Sequence, residues 1–121
     1  MSNLGNLYRD GRGVTKNYTE ALKWYERAAA AGNANGLNNR GVLSFKGQGV
    51  PKDVSEARRW YEKAAAAGAA VAMRNLGAIY AQGNGVARDY NEARKWYEMA
   101  ATAGDEPSKT SLIKLELAKH R

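Results

Sequence analysis

Apolar positions in this chain return with the period of a helix, and short glycine-rich breaks interrupt them at fixed intervals. Ala57, Trp60 and Ala64 fall on one stripe between charged residues, and Ala21, Trp24, Ala28 and Ala93, Trp96, Ala100 repeat it. Asn17, Asp53 or Asp89 precedes each stripe with a glutamate three residues on. That spacing is a capping box, in which the first side chain takes free backbone N–H groups and the glutamate reaches back. Gly32, Gly68 and Gly104 stand where each helix must stop and turn left-handed. These signals predict helices over about 54–67 and 90–103. A second pattern, with Leu76, Gly77 and Tyr80 on one face, predicts partner helices over about 34–46 and 70–82, each stopped by Gly47 or Gly83.

The breaks form a family of their own. GRGVTKN at 11–17, GQGVPKD at 47–53 and GNGVARD at 83–89 share two glycines and a valine. A phosphate cradle would need longer spacing and a Gly-Lys-Ser/Thr ending, which is missing. The segment is instead a bend: glycine permits the turn, and Val14, Val50 or Val86 plugs back between the helices. The interval extends to the whole chain, since residues 1–36, 37–72 and 73–108 align without a gap and 14 of the 36 positions are identical in all three. Asn3/Asn39/Asn75, Gly5/Gly41/Gly77 and the Trp-Tyr-Glu triplets at 24–26, 60–62 and 96–98 belong to that set. In an array each copy needs a large side chain between neighbouring helices. The tryptophans on the alanine stripe are expected to supply it, and the tyrosines are expected to pack in the core too, with hydroxyls able to reach solvent.

Composition narrows the chemistry. The chain has 121 residues, 44% of them hydrophobic, and suits a single domain. No run of apolar residues is long enough to span a membrane, and the N-terminus lacks the blocks of a signal peptide, which leaves location open. Zero cysteines exclude disulfides, thiol catalysis and thiolate metal sites. The one histidine, His120, has no ligand-spaced neighbour. Carboxylate pairs such as Glu20/Glu26 recur in every copy and read as caps and ion pairs rather than one acid/base site. No serine or threonine adjoins a histidine base. No catalytic, cofactor or metal site is expected.

The pattern NLGxxY…GxGV…DYxEAxxWYExAAxxG resembles the Sel-one-like repeat (SLR), a relative of the tetratricopeptide repeat, over almost the whole chain. The resemblance implies an all-α, right-handed α-solenoid of antiparallel helix pairs, with first helices lining a concave face and second helices outside. It implies a single SLR domain over 1–121, with a C-terminal capping helix at 105–119 after the three repeats. Members are typically adaptors that hold protein partners, and some bacterial ones are secreted, periplasmic or on the cell surface. A cysteine-rich subgroup has been linked to β-lactam binding, a trait that does not carry over to a chain without cysteines. Residue 1 falls opposite Leu37, as if the chain began inside a longer array. Asp105 and Pro107 suit the start of a last helix, in which Leu112 keeps the phase of Leu76 and Ile113 replaces the recurring glycine.

Function is then expected where the copies differ. Placed on the tetratricopeptide pattern, the concave face takes Ser2, Asn6, Arg9 and Asp10 from copy one. Copy two gives Asn35, Asn38, Val42, Phe45 and Lys46, and copy three Val71, Arg74, Ala78, Ala81 and Gln82. Phe45, the only phenylalanine, is the expected anchor for a protein or peptide, with packing against the next helix as its alternative. Arg40 stands where Leu4 and Leu76 stand, one turn before Ser44. A buried hydrogen-bonded pair or an opened seam would explain both, and the favoured expectation is a guanidinium that snorkels to the groove edge. The net charge of +7 raises the rival reading, an anionic partner such as nucleic acid held by stripes at Lys16/Lys52/Arg88 and Lys23/Arg59/Lys95. Glutamates three residues before the second stripe dilute it, so nucleic acid ranks below protein. Oligomeric state is not legible.

Overall fold

The computed structural model describes residues 17–119, and every regular element among them is an α-helix. They are α1 (Tyr18–Ala30), α2 (Ala34–Lys46), α3 (Val54–Ala66), α4 (Ala70–Gln82), α5 (Tyr90–Thr102) and α6 (Glu106–Lys119). Each packs mainly on the helix next to it in sequence, which is the arrangement of an α-solenoid. The expected boundaries hold to within a residue.

The second helix of each copy (α1, α3, α5) starts from an extended N-cap whose side chain accepts from the backbone N–H three residues on, at 3.0–3.1 Å. The return arm of the capping box is not made at Asp53 or Asp89. Their own N–H groups donate instead to Ser44 O (2.9 Å) and Tyr80 O (3.0 Å), which ties each second helix to the last turn of the first. At the other end Gly32, Gly68 and Gly104 have φ of 76°, 95° and 98°. The residue after each glycine donates back to the alanine carbonyl five residues earlier, as Asn33 does to Ala28 O at 2.9 Å, which closes a Schellman turn. The GxGV bend does what its composition requires. Gly47 and Gly49 lie at φ 71° and 77°, and Val50 returns to pack beside Tyr18 and Leu22 against Ala21, Tyr25 and Leu43.

The alanines of the expected stripe are in the core, but the aromatic buried beside them is the tyrosine, one residue on from the tryptophan. Ala21, Tyr25 and Ala28, with their counterparts in α3 and α5, are buried, and the tyrosines are only 0%, 3% and 6% exposed. Trp24, Trp60 and Trp96 are half-buried on the flank, with Arg27, Arg40 and Lys63, and Lys95 over their respective rings at 5.0–5.4 Å. The facing helix gives the reason. A Cβ at Gly41 would come within 2.8 Å of the Tyr61 ring, and one at Gly77 within 2.7 Å of the Tyr97 ring, so the missing side chain is the seat of the tyrosine. At the far end α6 lays Leu115 on Ala93 and Tyr97, while Ile113 and Leu117 are 64% and 62% exposed.

Two glycine substitutions test these roles. Alanine is about 1 kcal/mol better than glycine inside a helix. Gly77→Ala should nevertheless lower stability by about 2 kcal/mol, because the Tyr97 ring must move. Gly49→Val should cost about 2 kcal/mol for its left-handed backbone and for a Cβ 3.0 Å from the Tyr18 carbonyl oxygen. Urea unfolding midpoints report both, and an unchanged midpoint in either variant would remove that glycine from the account.

Candidate functional site

Adjacent first helices α2 and α4 leave a groove of about 610 Å³ between them. From α2 it takes Asn38, Asn39, Val42, Phe45 and Lys46; from α4 Val71, Asn75, Ala78, Ile79 and Gln82; the Tyr61 ring closes the floor. Seven of the fourteen residues expected on the concave face therefore share this one surface: Asn38, Val42, Phe45, Lys46, Val71, Ala78 and Gln82. Arg74 does not line it, since its Nε lies 3.6 Å from Asp105 Oδ2, a carboxylate that also accepts from Ser108 N and Oγ at the start of α6. Asn6, Arg9 and Asp10 lie outside the described residues, as do Ser2, Lys16 and His120.

Phe45 both lines the groove and packs on the core, its ring half-buried against the central cluster of Leu37, Tyr61, Leu76 and Ile79. Sequence reasoning missed Asn39 and Asn75 as groove residues, although a polar residue repeated on a first helix was the signal. Asn75 Nδ2 donates to Asn38 Oδ1 at 3.0 Å across the two helices. Tyr61 was missed as a groove residue because it was assigned to core packing, with a hydroxyl able to reach solvent. Burial pushes its phenol well above the ordinary value of 10.0, and burial raises Tyr97 as well, against a hydrogen bond with Ser111 and the charge of Arg74.

Arg40 corrects the expectation of a groove-edge cation. It is 7% exposed and turns away from the groove toward the second helices. Its Nη1 donates to Ser44 Oγ at 2.5 Å and its Nη2 to Glu56 Oε1 at 3.1 Å, and its Nε lies 3.5 Å from Glu26 Oε1. Glu56 also accepts from Trp60 Nε1 at 3.3 Å. The physical reason is that Ser44 vacates the volume of Tyr80 and the guanidinium fills it, with carboxylates of two successive second helices in reach. The basic stripe is altered accordingly. Glu20 pairs with Lys23 (3.4 Å) and Glu92 with Lys95 (2.9 Å), while Glu56 leaves Arg59 for Arg40. Among the described residues no group of three or more His, Cys, Asp or Glu could hold a metal ion, and no helix is long and apolar enough to cross a membrane.

Stacked helix pairs with a groove between first helices define an α-solenoid repeat protein. The Sel1 repeat model matches residues 1–33, 34–68 and 70–105, and the chain belongs to that family. A Sel1 repeat protein from Oxalobacter formigenes is similar in structure, at 38% identity and a TM-score of 0.86 over 92% of this chain and 45% of that one. A protective antigen of uropathogenic Escherichia coli displaying an SLR fold is 38% identical with a TM-score of 0.81, over 88% of this chain and 23% of its own. Cysteine-rich protein B of Helicobacter pylori is 26% identical with a TM-score of 0.74, over 79% of this chain and 72% of that one. The chain thus spans less than half the length of the first two. A search of curated proteins finds no match. Proteins built from these repeats generally serve as protein-interaction scaffolds.

Two measurements follow from the buried polar groups. Arg40→Leu and Ser44→Tyr should each destabilise, by about 2 kcal/mol, because one strands a buried hydroxyl and the other crowds the guanidinium. The double variant restores the Leu/Tyr pair of the third copy and should recover most of that loss in a double-mutant cycle; additive losses would show the pair to be uncoupled. For Tyr61 and Tyr97 the folded pKa lies above the unfolded 10.0, so their contribution is complete below about pH 10 and is lost as pH rises beyond it. Denaturation midpoints should fall between about pH 9 and about pH 11, less steeply in Tyr61→Phe.

Proposed function

We propose that this chain is a protein-interaction module without a catalytic role, and that the groove between α2 and α4 takes a segment of a protein partner. The carrying observation is the composition of the groove: an apolar centre at Val42, Phe45 and Ala78, flanked by Asn38, Asn75, Lys46 and Gln82. A half-buried aromatic ring among amide and basic neighbours is the arrangement of an interface anchor, with polar groups at the rim to fix register. The recurring tyrosines, glutamates and caps are absorbed by the fold, which leaves the varied groove positions for recognition.

Two alanine variants read side by side test it. Tyr61→Ala empties the seat over Gly41 and should cost about 4 kcal/mol, so its loss of binding would merely follow loss of fold. Phe45→Ala should stay helical, melt cooperatively and weaken a captured partner by about 2 kcal/mol. A folded Phe45→Ala protein that binds its partner as tightly as wild type would move the site off this groove.

A further inference from the structure

The charges of the described chain are divided between its two sets of helices. Neither α2 nor α4 contains an aspartate or glutamate, and their charged residues are Arg40, Lys46 and Arg74. The described carboxylates stand on α1, α3, α5 and α6 or at the caps Asp53, Asp89 and Asp105. Arg40 is committed to Glu56 and Glu26, and Arg74 to Asp105. Lys46 makes no ion pair among the described residues, is exposed, and lines the groove in the last turn of α2. Gln82 occupies the equivalent position in α4. A concave surface walled by amides and one unneutralised ammonium, with no carboxylate, has a positive potential that a low-dielectric wall focuses.

We infer that the occupant of the groove is an extended peptide segment carrying an aspartate or glutamate close to an apolar side chain. This rests on the groove being the binding face. The apolar side chain packs on Phe45, Val42 and Ala78, the carboxylate meets Lys46, and Asn75 and Gln82 hydrogen-bond the peptide main chain. Asn75 spends its Nδ2 on Asn38 and keeps its amide oxygen as an acceptor for a peptide N–H. Spacing sets the register. Val42 and Lys46 are one turn apart, about 6 Å along the helix, which an extended peptide covers in about two residues. The acid therefore lies about two positions from the anchor.

The test is selection of random linear peptides displayed on phage against the whole chain, followed by fluorescence anisotropy on labelled selected peptides. Enrichment of an acid about two positions from an aromatic or branched aliphatic residue is expected. Replacing that acid by its amide should weaken binding to wild type about tenfold, and Lys46→Glu should weaken the acidic peptide about tenfold while sparing the amide version. Selected peptides that need Phe45 but bind equally well as acid or amide would overturn this inference and leave the groove as the binding face. Peptides indifferent to both Phe45→Ala and Lys46→Glu, or no enrichment over bare support, would count against the groove itself. A mixed-sequence single-stranded oligonucleotide that displaces the acidic peptide at equal concentration would show phosphate to be the preferred anion, and would overturn the peptide assignment.

Discussion

The close approach of the tyrosine rings on α3 and α5 to glycines on α2 and α4 is the contact on which the rest of this structure depends. Glycine is a poor helix former, and its place in the middle of α2 and α4 makes sense only because Tyr61 and Tyr97 occupy the space a Cβ would fill. Burying a tyrosine is worth about 2–3 kcal/mol in apolar area, which exceeds the roughly 1 kcal/mol that the glycine costs its own helix. The same rings set the distance between first and second helices. They thereby fix how far α2 stands from α4 and how wide the groove between them opens, with Tyr61 as its floor.

Around that contact the backbone is tied locally. The Schellman turns end each second helix, and the N-cap amides of Asp53 and Asp89 reach the carbonyls of Ser44 and Tyr80. Every strong constraint spans a single repeat or one step to the next, which is why an array of this kind can be read copy by copy. Copy two shows how much variation the frame accepts. Arg40 and Ser44 replace a leucine and a tyrosine, and the buried guanidinium hydrogen-bonds the Ser44 hydroxyl and the Glu56 carboxylate, with the Glu26 carboxylate 3.5 Å from its Nε. That solution uses the acids of the outer layer, and it leaves the groove wall without any.

Division of labour between the helix sets follows. Second helices carry the i,i+3 and i,i+4 ion pairs and the cation-covered tryptophans, all of which serve a solvated outer surface. Into the groove, α2 and α4 present amides, small apolar side chains, the Phe45 ring and Lys46, which makes no ion pair among the described residues. The glycine–tyrosine contacts recur from copy to copy, whereas most groove positions differ between α2 and α4, Asn39 and Asn75 excepted.

Helix number, helix ends, turn conformation and repeat length were legible in the sequence because each rests on groups within about five residues of one another: a cap and its amide, a glycine and its carbonyl, apolar residues one turn apart. Most of the groove was legible too, through the resemblance to the tetratricopeptide pattern, which puts Asn38, Val42, Phe45, Lys46, Val71, Ala78 and Gln82 on the concave face. Only the tertiary structure decided which of two adjacent aromatics is the core. Trp60 and Tyr61 are both compatible with the alanine stripe, and the choice belongs to Gly41 on another helix. It likewise decided that Arg40 faces Glu26 and Glu56 rather than the groove, and that Arg74 turns to Asp105. Periodicity specifies the face of a helix to within about one residue, or 100°. What stands opposite that face is set by a neighbour distant in sequence, and for Tyr61, Arg40 and Arg74 the neighbour settled the side chain's place.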